Sequence, residues 1–291
     1  METHQIRYFL AVSQTGRFTQ AAKQCNVSQP SLSIQIAKLE SELGGPLFER
    51  TKKGIKLTAR GELFLPRANA IWGEMQSAQK EVEALSGLSI GSVTLGCLPT
   101  TGAHVLPQIL MAFRKSFPKI SVQLKEDSSP GLARYLEQGE VELAILDEAG
   151  LYPGLDRQTI LTEELLLALP VQHRLAGEKF LNLRQVAEEP FILMKTGHGF
   201  RQITLDFYGK AGLEPKVVFE SGGIETVQAL VAAGLGISLV PQMVAKFPGV
   251  VYARVSQPKA ARTLSLAWRK KVPLSTAAEA LKKIILNTVK P

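Results

Sequence analysis

Cysteine is scarce: Cys25 and Cys97 are the two in 291 residues. They lie too far apart to form a disulfide framework or a cysteine-rich zinc site. No run of about 18 apolar residues occurs, and no basic stretch followed by an apolar one opens the sequence. A membrane span, a membrane partner and a secretory leader are therefore not expected, and the expected location is the cytoplasm. His4, His104, His173 and His198 show no metal-ligand spacing, and no Ser-His-Asp set accompanies a nucleophile-elbow signature. No catalytic residue, metal or cofactor is expected. With 45% hydrophobic and 21% charged residues the composition is ordinary for globular proteins, which excludes wholesale disorder. The length suits two or three modules.

The chain does carry an excess of positive charge, +8 overall, which favours an anionic partner without naming one. Its distribution is more informative. Residues 1–60 hold +5, residues 61–88 hold −2 and the remainder +5. The densest positive charge sits in the first sixty residues, as in a small nucleic-acid-binding head.

Apolar periodicity in that head predicts three short helices. Ile6, Phe9, Leu10 and Val12 form one stripe ending at Gly16; Ala21, Ala22 and Cys25 mark a second segment; Leu32, Ile36, Leu39 and Leu43 mark a third, N-capped by Ser28 and ending at Gly44-Gly45-Pro46. Small residues at the crossing make this a helix-turn-helix. The polar face of the third helix offers Ser28, Gln29, Pro30, Ser31, Ser33, Gln35 and Lys38, with Thr19 on the second segment, as DNA contacts. Short hydrogen-bonding groups can approach base edges and phosphates in a major groove. Residues 47–58 alternate about Lys53-Gly54 as a β-hairpin wing, whose Arg50, Lys52 and Lys53 would meet phosphates.

From Thr58 the chain turns helical. Phe64, Ala68, Ile71, Met75, Ala78, Val82 and Leu85 recur at four- and three-residue steps, a heptad seam suited to a second copy of the same helix. Pro66 is expected to kink or weaken it. A dimer would present two heads to a roughly palindromic DNA site.

Beyond residue 88 strands and helices alternate, implying parallel sheet in two similar lobes. Expected strands fall at 92–98, 120–124, 141–146, 191–194, 217–220 and 236–240. Expected helices fall at 104–117, 130–138, 199–211, 224–233 and 277–289. Segments 164–169 and 263–269 are expected to cross between lobes. Ligands in such lobes sit where strand ends meet helix starts. The loops there supply Pro99, Thr100 and Thr101, with His104 nearby; Ser128 and Ser129; Thr196, His198, Phe200 and Arg201; and Gly222 and Gly223. Their hydroxyls, glycines and helix dipoles suit a small polar effector, preferably an anion, with Arg201 and Lys195 as its charge partners.

Two stretches carry a family resemblance. Phe18-Thr19-x-Ala21-Ala22, the run Ser28 to Ser33, Leu39-Glu40, Leu47-Phe48-Glu49-Arg50 and Leu57-Thr58 resemble the LysR-type transcriptional regulators in order and spacing, as does Glu225-Thr226-Val227 through Gly234-Leu235-Gly236-Ile237 to Pro241. The resemblance implies an N-terminal all-α winged helix-turn-helix (1–58) and a dimerising linker helix (59–88). It also implies a C-terminal α/β effector domain (89–291) like type 2 periplasmic binding proteins. Lobe I would take about 89–162 and 267–291, and lobe II about 163–266. Implied partners are double-stranded DNA, a small-molecule effector and further copies of the chain, as dimer or tetramer, with RNA polymerase a further candidate. The effector domain looks closest to the peroxide-sensing regulators, whose reactive cysteines would fall at Gly199 and Tyr208. Neither is present, so thiol–disulfide sensing is not expected. Ile34 is a second departure, standing where many relatives carry a basic residue. Two competing readings are a solute-binding or enzymatic α/β domain with an accessory DNA-binding head, and an architectural DNA binder without effector.

Overall fold

A computed structural model describes the chain apart from residues 52–53, 85–90, 149, 151, 257–258 and 290–291 and the side chains of residues 50, 51, 76, 77, 79–81, 83 and 84. It divides into two compact units, residues 1–85 and, in the main, residues 86–291.

The first unit opens with α1 (Thr3–Thr15), α2 (Phe18–Cys25) and α3 (Gln29–Glu42). Gly16 and Asn26 end the first two helices in left-handed conformation, each returning its N–H to a carbonyl of the last turn. The Ser28 hydroxyl caps α3 by accepting the Ser31 N–H, with Pro30 in the first turn. Phe9, Val12, Ala21, Leu32 and Leu39 interlock in one core. The wing follows as β1 (Phe48–Thr51) and β2 (Gly54–Leu57), antiparallel with Glu49 opposite Lys56 and Arg50 opposite Ile55. Glu40 anchors its entry, Oε1 accepting the Leu47 and Phe48 N–H groups at 2.8 and 3.2 Å.

Helix α4 (Ala59–Ala84) runs continuously through Pro66. Its stripe is divided. Ala68 is fully buried in the head's own core, with Phe64 and Ile71 packed against that core, whereas Ala78 and Val82 are exposed. The first half of the expected seam thus serves the head. Met75, Ala78 and Val82 are what the described residues leave for a partner helix, and Leu85 lies outside them.

In the second unit β3 (Gly91–Cys97) leads into α5 (Pro99–His104), α6 (Leu106–Ser116), β4 (Ile120–Glu126), α7 (Ser129–Glu137) and β5 (Leu143–Asp147). Strands β4, β3 and β5 lie parallel in that order. The long β6 (Leu155–Pro170) is followed by β7 (Phe180–Leu181), β8 (Pro190–Met194), α8 (Gly199–Lys210), β9 (Lys216–Ser221) and α9 (Ile224–Ala232). Then come β10 (Ser238–Pro241), β11 (Val250–Val255), β12 (Ala261–Arg269) and α10 (Thr276–Thr288).

The sheet is mixed rather than parallel. Strand β12 runs antiparallel to β5 and to the first part of β6, and from Leu165 onward β6 pairs instead with β10 and β11, both antiparallel. The lobes therefore share strands: β6 begins in lobe I and ends in lobe II. Strand alternation explains how one strand serves two cores, since Leu165, Leu167 and Leu169 enter one lobe II cluster while Ala168 enters another on the opposite face. Lobe I packs β3 and β5 between α6, α7 and α10 through Leu95, Ile109, Phe113, Leu132, Ile145 and Leu281. Sequence periodicity did not reveal β7 or β11, and it left residues 99–102 as a loop where α5 forms.

Among the described residues no helix is long and apolar enough to cross a membrane.

Candidate functional site

The head presents a polar surface along α3. Ser28, Gln29, Pro30, Ser31 and Lys38 are exposed, as is Thr19 on α2, and Ser33 is half-buried with its hydroxyl accepting from Gln29 Nε2 at 2.8 Å. That bond pre-orients the Gln29 amide. Gln35 is turned inward: its Oε1 accepts the Nε2 of buried Gln5 at 3.2 Å, tying α3 to α1. Ile34 is the residue that projects, 57% exposed. Arg50 lies on β1 in the wing, and Lys52 and Lys53 lie outside the described residues.

Within the second unit a cleft of about 90 Å³ opens between the lobes. Pro99, Thr100 and Ser128 line it from lobe I, and His198, Phe200, Gly222 and Gly223 from lobe II. These seven were anticipated from the loops. Five others stand apart. Thr101 is fully buried, its hydroxyl making no hydrogen bond among the described residues. His104, expected beside the 99–102 loop at the start of a helix, instead ends α5, exposed and outside the cleft lining. Ser129 is buried behind the wall, and Thr196 is exposed. Arg201 is committed elsewhere: Nη1 donates to the Met194 carbonyl and to Glu220 Oε1, both at 2.8 Å. It fastens α8 to the β8–β9 pair.

The cleft adds two charged groups that loop composition did not reveal. Asp147, 3% exposed, ends β5; its Oδ2 accepts from Ser129 Oγ at 2.6 Å, and its N–H donates back to that oxygen at 3.1 Å. Arg262, 5% exposed, donates from Nε to buried Glu163 Oε1 at 2.7 Å and from Nη2 to Thr100 Oγ1 at 3.3 Å. Glu163 Oε2 also accepts the Met243 N–H at 2.9 Å. The guanidinium lies 5.8 Å from the Phe200 ring centroid, within cation–π reach. This pair sits where the lobes exchange strands, and its partners come from both. The remaining wall is apolar: Leu98, Met194, Ile224 and Pro241.

His198 is held below the usual histidine range by burial and by the Lys195 charge, against the pull of Asp127. It therefore faces the cleft mainly as a neutral imidazole at pH 7.

Gly199 explains the first missing cysteine. A Cβ there would lie 2.5 Å from Asp147 Oδ2, so the carboxylate occupies the space a side chain would need. At the second position Tyr208 is fully buried, edge-on to Phe191 at 5.2 Å between centroids, filling the lobe II core. Cys97 is buried in β3 and its thiol is pushed up to about 12, by burial first and Glu126 second. Burial also raises Cys25 in the head. Neither is a ready thiolate.

A three-helix head with a wing, joined to two lobes that share strands around a ligand-sized cleft, defines a ligand-responsive DNA-binding regulator. The comparisons agree. Residues 3–62 match the family described as bacterial regulatory helix-turn-helix protein, lysR family, and residues 86–290 match the LysR substrate binding domain. The chain belongs to the LysR-type transcriptional regulators, a family of transcription factors and not of enzymes. It is 36% identical to the uncharacterized HTH-type transcriptional regulator YybE of Bacillus subtilis over 290 residues, 99% of each chain. Among solved structures, a full-length OxyR variant from Pseudomonas aeruginosa superposes with TM-score 0.76 at 27% identity, covering 98% of this chain and 94% of that one. Full-length CbnR complexed with its target DNA superposes with TM-score 0.70 at 26% identity, covering 99% and 100%.

Proposed function

We propose that the chain is a homo-oligomeric, cytoplasmic regulator whose α3 enters a major groove of a roughly palindromic promoter site. In this reading a small effector carrying an anionic group binds between the lobes and alters the placement of paired heads and their dealings with RNA polymerase. The domain bounds are those expected above: a head to residue 58, a linker helix to 88 and the effector domain beyond.

The observation that carries this reading is the union, in one chain, of a capped polar helix face on a basic head and a cleft walled by both lobes. The exposed Ala78 and Val82 on α4 support self-association. The first turn of α9 and the Arg262 guanidinium at the cleft wall support an anionic group. Coupling of about 1–3 kcal/mol between effector and DNA is enough to shift promoter occupancy.

The test uses the full chain on DNA that it selects from a random pool, followed by fluorescence anisotropy against scrambled duplex. Gln29→Ala should remove about 1–3 kcal/mol of discrimination. Lys52→Ala or Lys53→Ala should weaken both duplexes alike and flatten the salt slope by about 1. Specific binding unchanged by Gln29→Ala would dismiss α3 as the reading helix.

A further inference from the structure

Of the large aliphatic side chains on α3, Leu32, Ile36 and Leu39 fill the head core, whereas Ile34 projects outward, 57% exposed. Helical spacing sets its neighbours. Pro30 and Lys38 lie four residues to either side, so all three share one row of the helix, and both are exposed. The adjoining row holds Gln29 and Ser33, hydrogen-bonded to each other at 2.8 Å. Gln35, the next polar residue along, is withdrawn toward α1 by its bond with Gln5. The middle of the face therefore offers a branched hydrocarbon, with hydrogen-bonding groups before it and the Lys38 ammonium beyond.

Such a tip is out of place against most of a duplex. Base edges in the major groove present hydrogen-bond donors and acceptors at every pair, and only thymine adds an apolar group, its 5-methyl. An isoleucine pressed against a ring nitrogen, a carbonyl or an exocyclic amine strips water from a polar atom and returns no hydrogen bond, which costs free energy. Against a methyl group it buries apolar surface on both partners. Residues 28–39 contain no Asp or Glu, so no carboxylate in this stretch opposes a close approach to DNA.

We propose that Ile34 is a specificity-determining residue that reads the 5-methyl group of a thymine in each half-site. Recognition at this point is apolar and uses no hydrogen bond, unlike that by the amide of Gln29 and the hydroxyl of Ser33. This rests on the reading of α3 as the groove helix and adds one base preference to it.

The test titrates the full chain, by fluorescence anisotropy, with the duplex that it selects from a random pool. Each thymine of both half-sites is replaced in turn by deoxyuridine, which removes the methyl group and keeps every hydrogen-bonding atom. At one position the replacement should weaken binding about fourfold per half-site, the worth of one buried methyl group. At that same position 5-methylcytosine should bind more tightly than cytosine by about the same factor. Ile34→Ala should abolish both differences while leaving thermal unfolding of the chain unchanged, since the side chain it shortens is exposed. Ile34→Leu, which keeps an apolar tip, should retain them. Gln29→Ala should lower specific affinity and preserve the deoxyuridine effect.

Deoxyuridine tolerated at every thymine, half-sites without thymine, or a methyl effect that survives Ile34→Ala would each overturn the proposal while α3 remained the reading helix. Specific binding indifferent to both Gln29→Ala and Ile34→Ala would dismiss α3 itself, and this inference with it.

Discussion

The α3 face and the inter-lobe cleft both draw polar groups from helix starts, yet they are assembled in opposite ways. On α3 the exposed polar groups lie within one helix, and their key internal contact, Gln29 to Ser33, spans four residues. In the cleft the Arg262–Glu163 pair spans 99 residues of chain, and Arg262–Thr100 spans 162. A local surface can lose one side chain and keep its shape. A surface closed by distant charges depends on the whole lobe arrangement, which makes it the part able to respond to a ligand.

The largest test of that contrast is Arg262→Ala. It leaves Glu163, 7% exposed at its side chain, as a buried carboxylate without its cation, a change that costs about 3–5 kcal/mol. Chemical denaturation of the effector-domain transition should show that loss. The double variant with Glu163→Ala should lose markedly less than the sum of the two single changes. Simple additivity would mean that the two buried side chains are not energetically coupled.

This division also marks what could be read from residue order. The head's helices, its Ser28 cap and the existence of the wing follow from spacing that repeats within a few residues, although Gly54, expected at the tip, stands in β2 opposite Thr51. The strand–helix alternation beyond residue 88 was legible for the same reason. The shared β6 was only half legible: residues 164–169 form an apolar run, whereas Leu155–Glu164 is mostly polar, since many of its side chains face outward. Antiparallel β12 escaped the parallel expectation because pairing direction leaves no periodic mark. In the cleft, hydroxyl and glycine loops drew attention to seven wall residues but also to Arg201, whose charge is spent on Glu220. Two signals would have pointed to the real charges. One is an acid closing the buried strand Leu143–Asp147; the other is opposite charges, Glu163 and Arg262, set near the start of both crossing segments.

A second, smaller effect concerns Gly199. Its conformation is open to any residue, and the restriction is spatial: a Cβ would sit 2.5 Å from the Asp147 carboxylate, which Ser129 holds in place. Gly199→Ala should therefore destabilise the effector domain by about 1–3 kcal/mol through overpacking. The cost should largely disappear in an Asp147→Ala background, where the side chain that blocks the space is gone. A thermal-melt series on the four variants measures this. An equal penalty in both backgrounds would place the strain elsewhere and leave Asp147 unconnected to the missing cysteine.

The smallest expected effect lies in the head and tests whether its construction is as local as it looks. Ser28 is exposed and makes one capping bond, accepting the Ser31 N–H at 3.3 Å. Ser28→Ala should cost about 1 kcal/mol of head stability, the usual value of a lost N-cap. Asp at the same position should restore it, because a carboxylate both accepts that N–H and faces the positive end of α3. The two substitutions diverge on DNA. Ser28→Asp places a negative charge on the face offered to phosphates, so it should weaken all duplexes while leaving the head folded. Stability and affinity moving together in both variants would mean that the cap and the DNA-facing surface are one structure, and the contrast with the cleft would be lost.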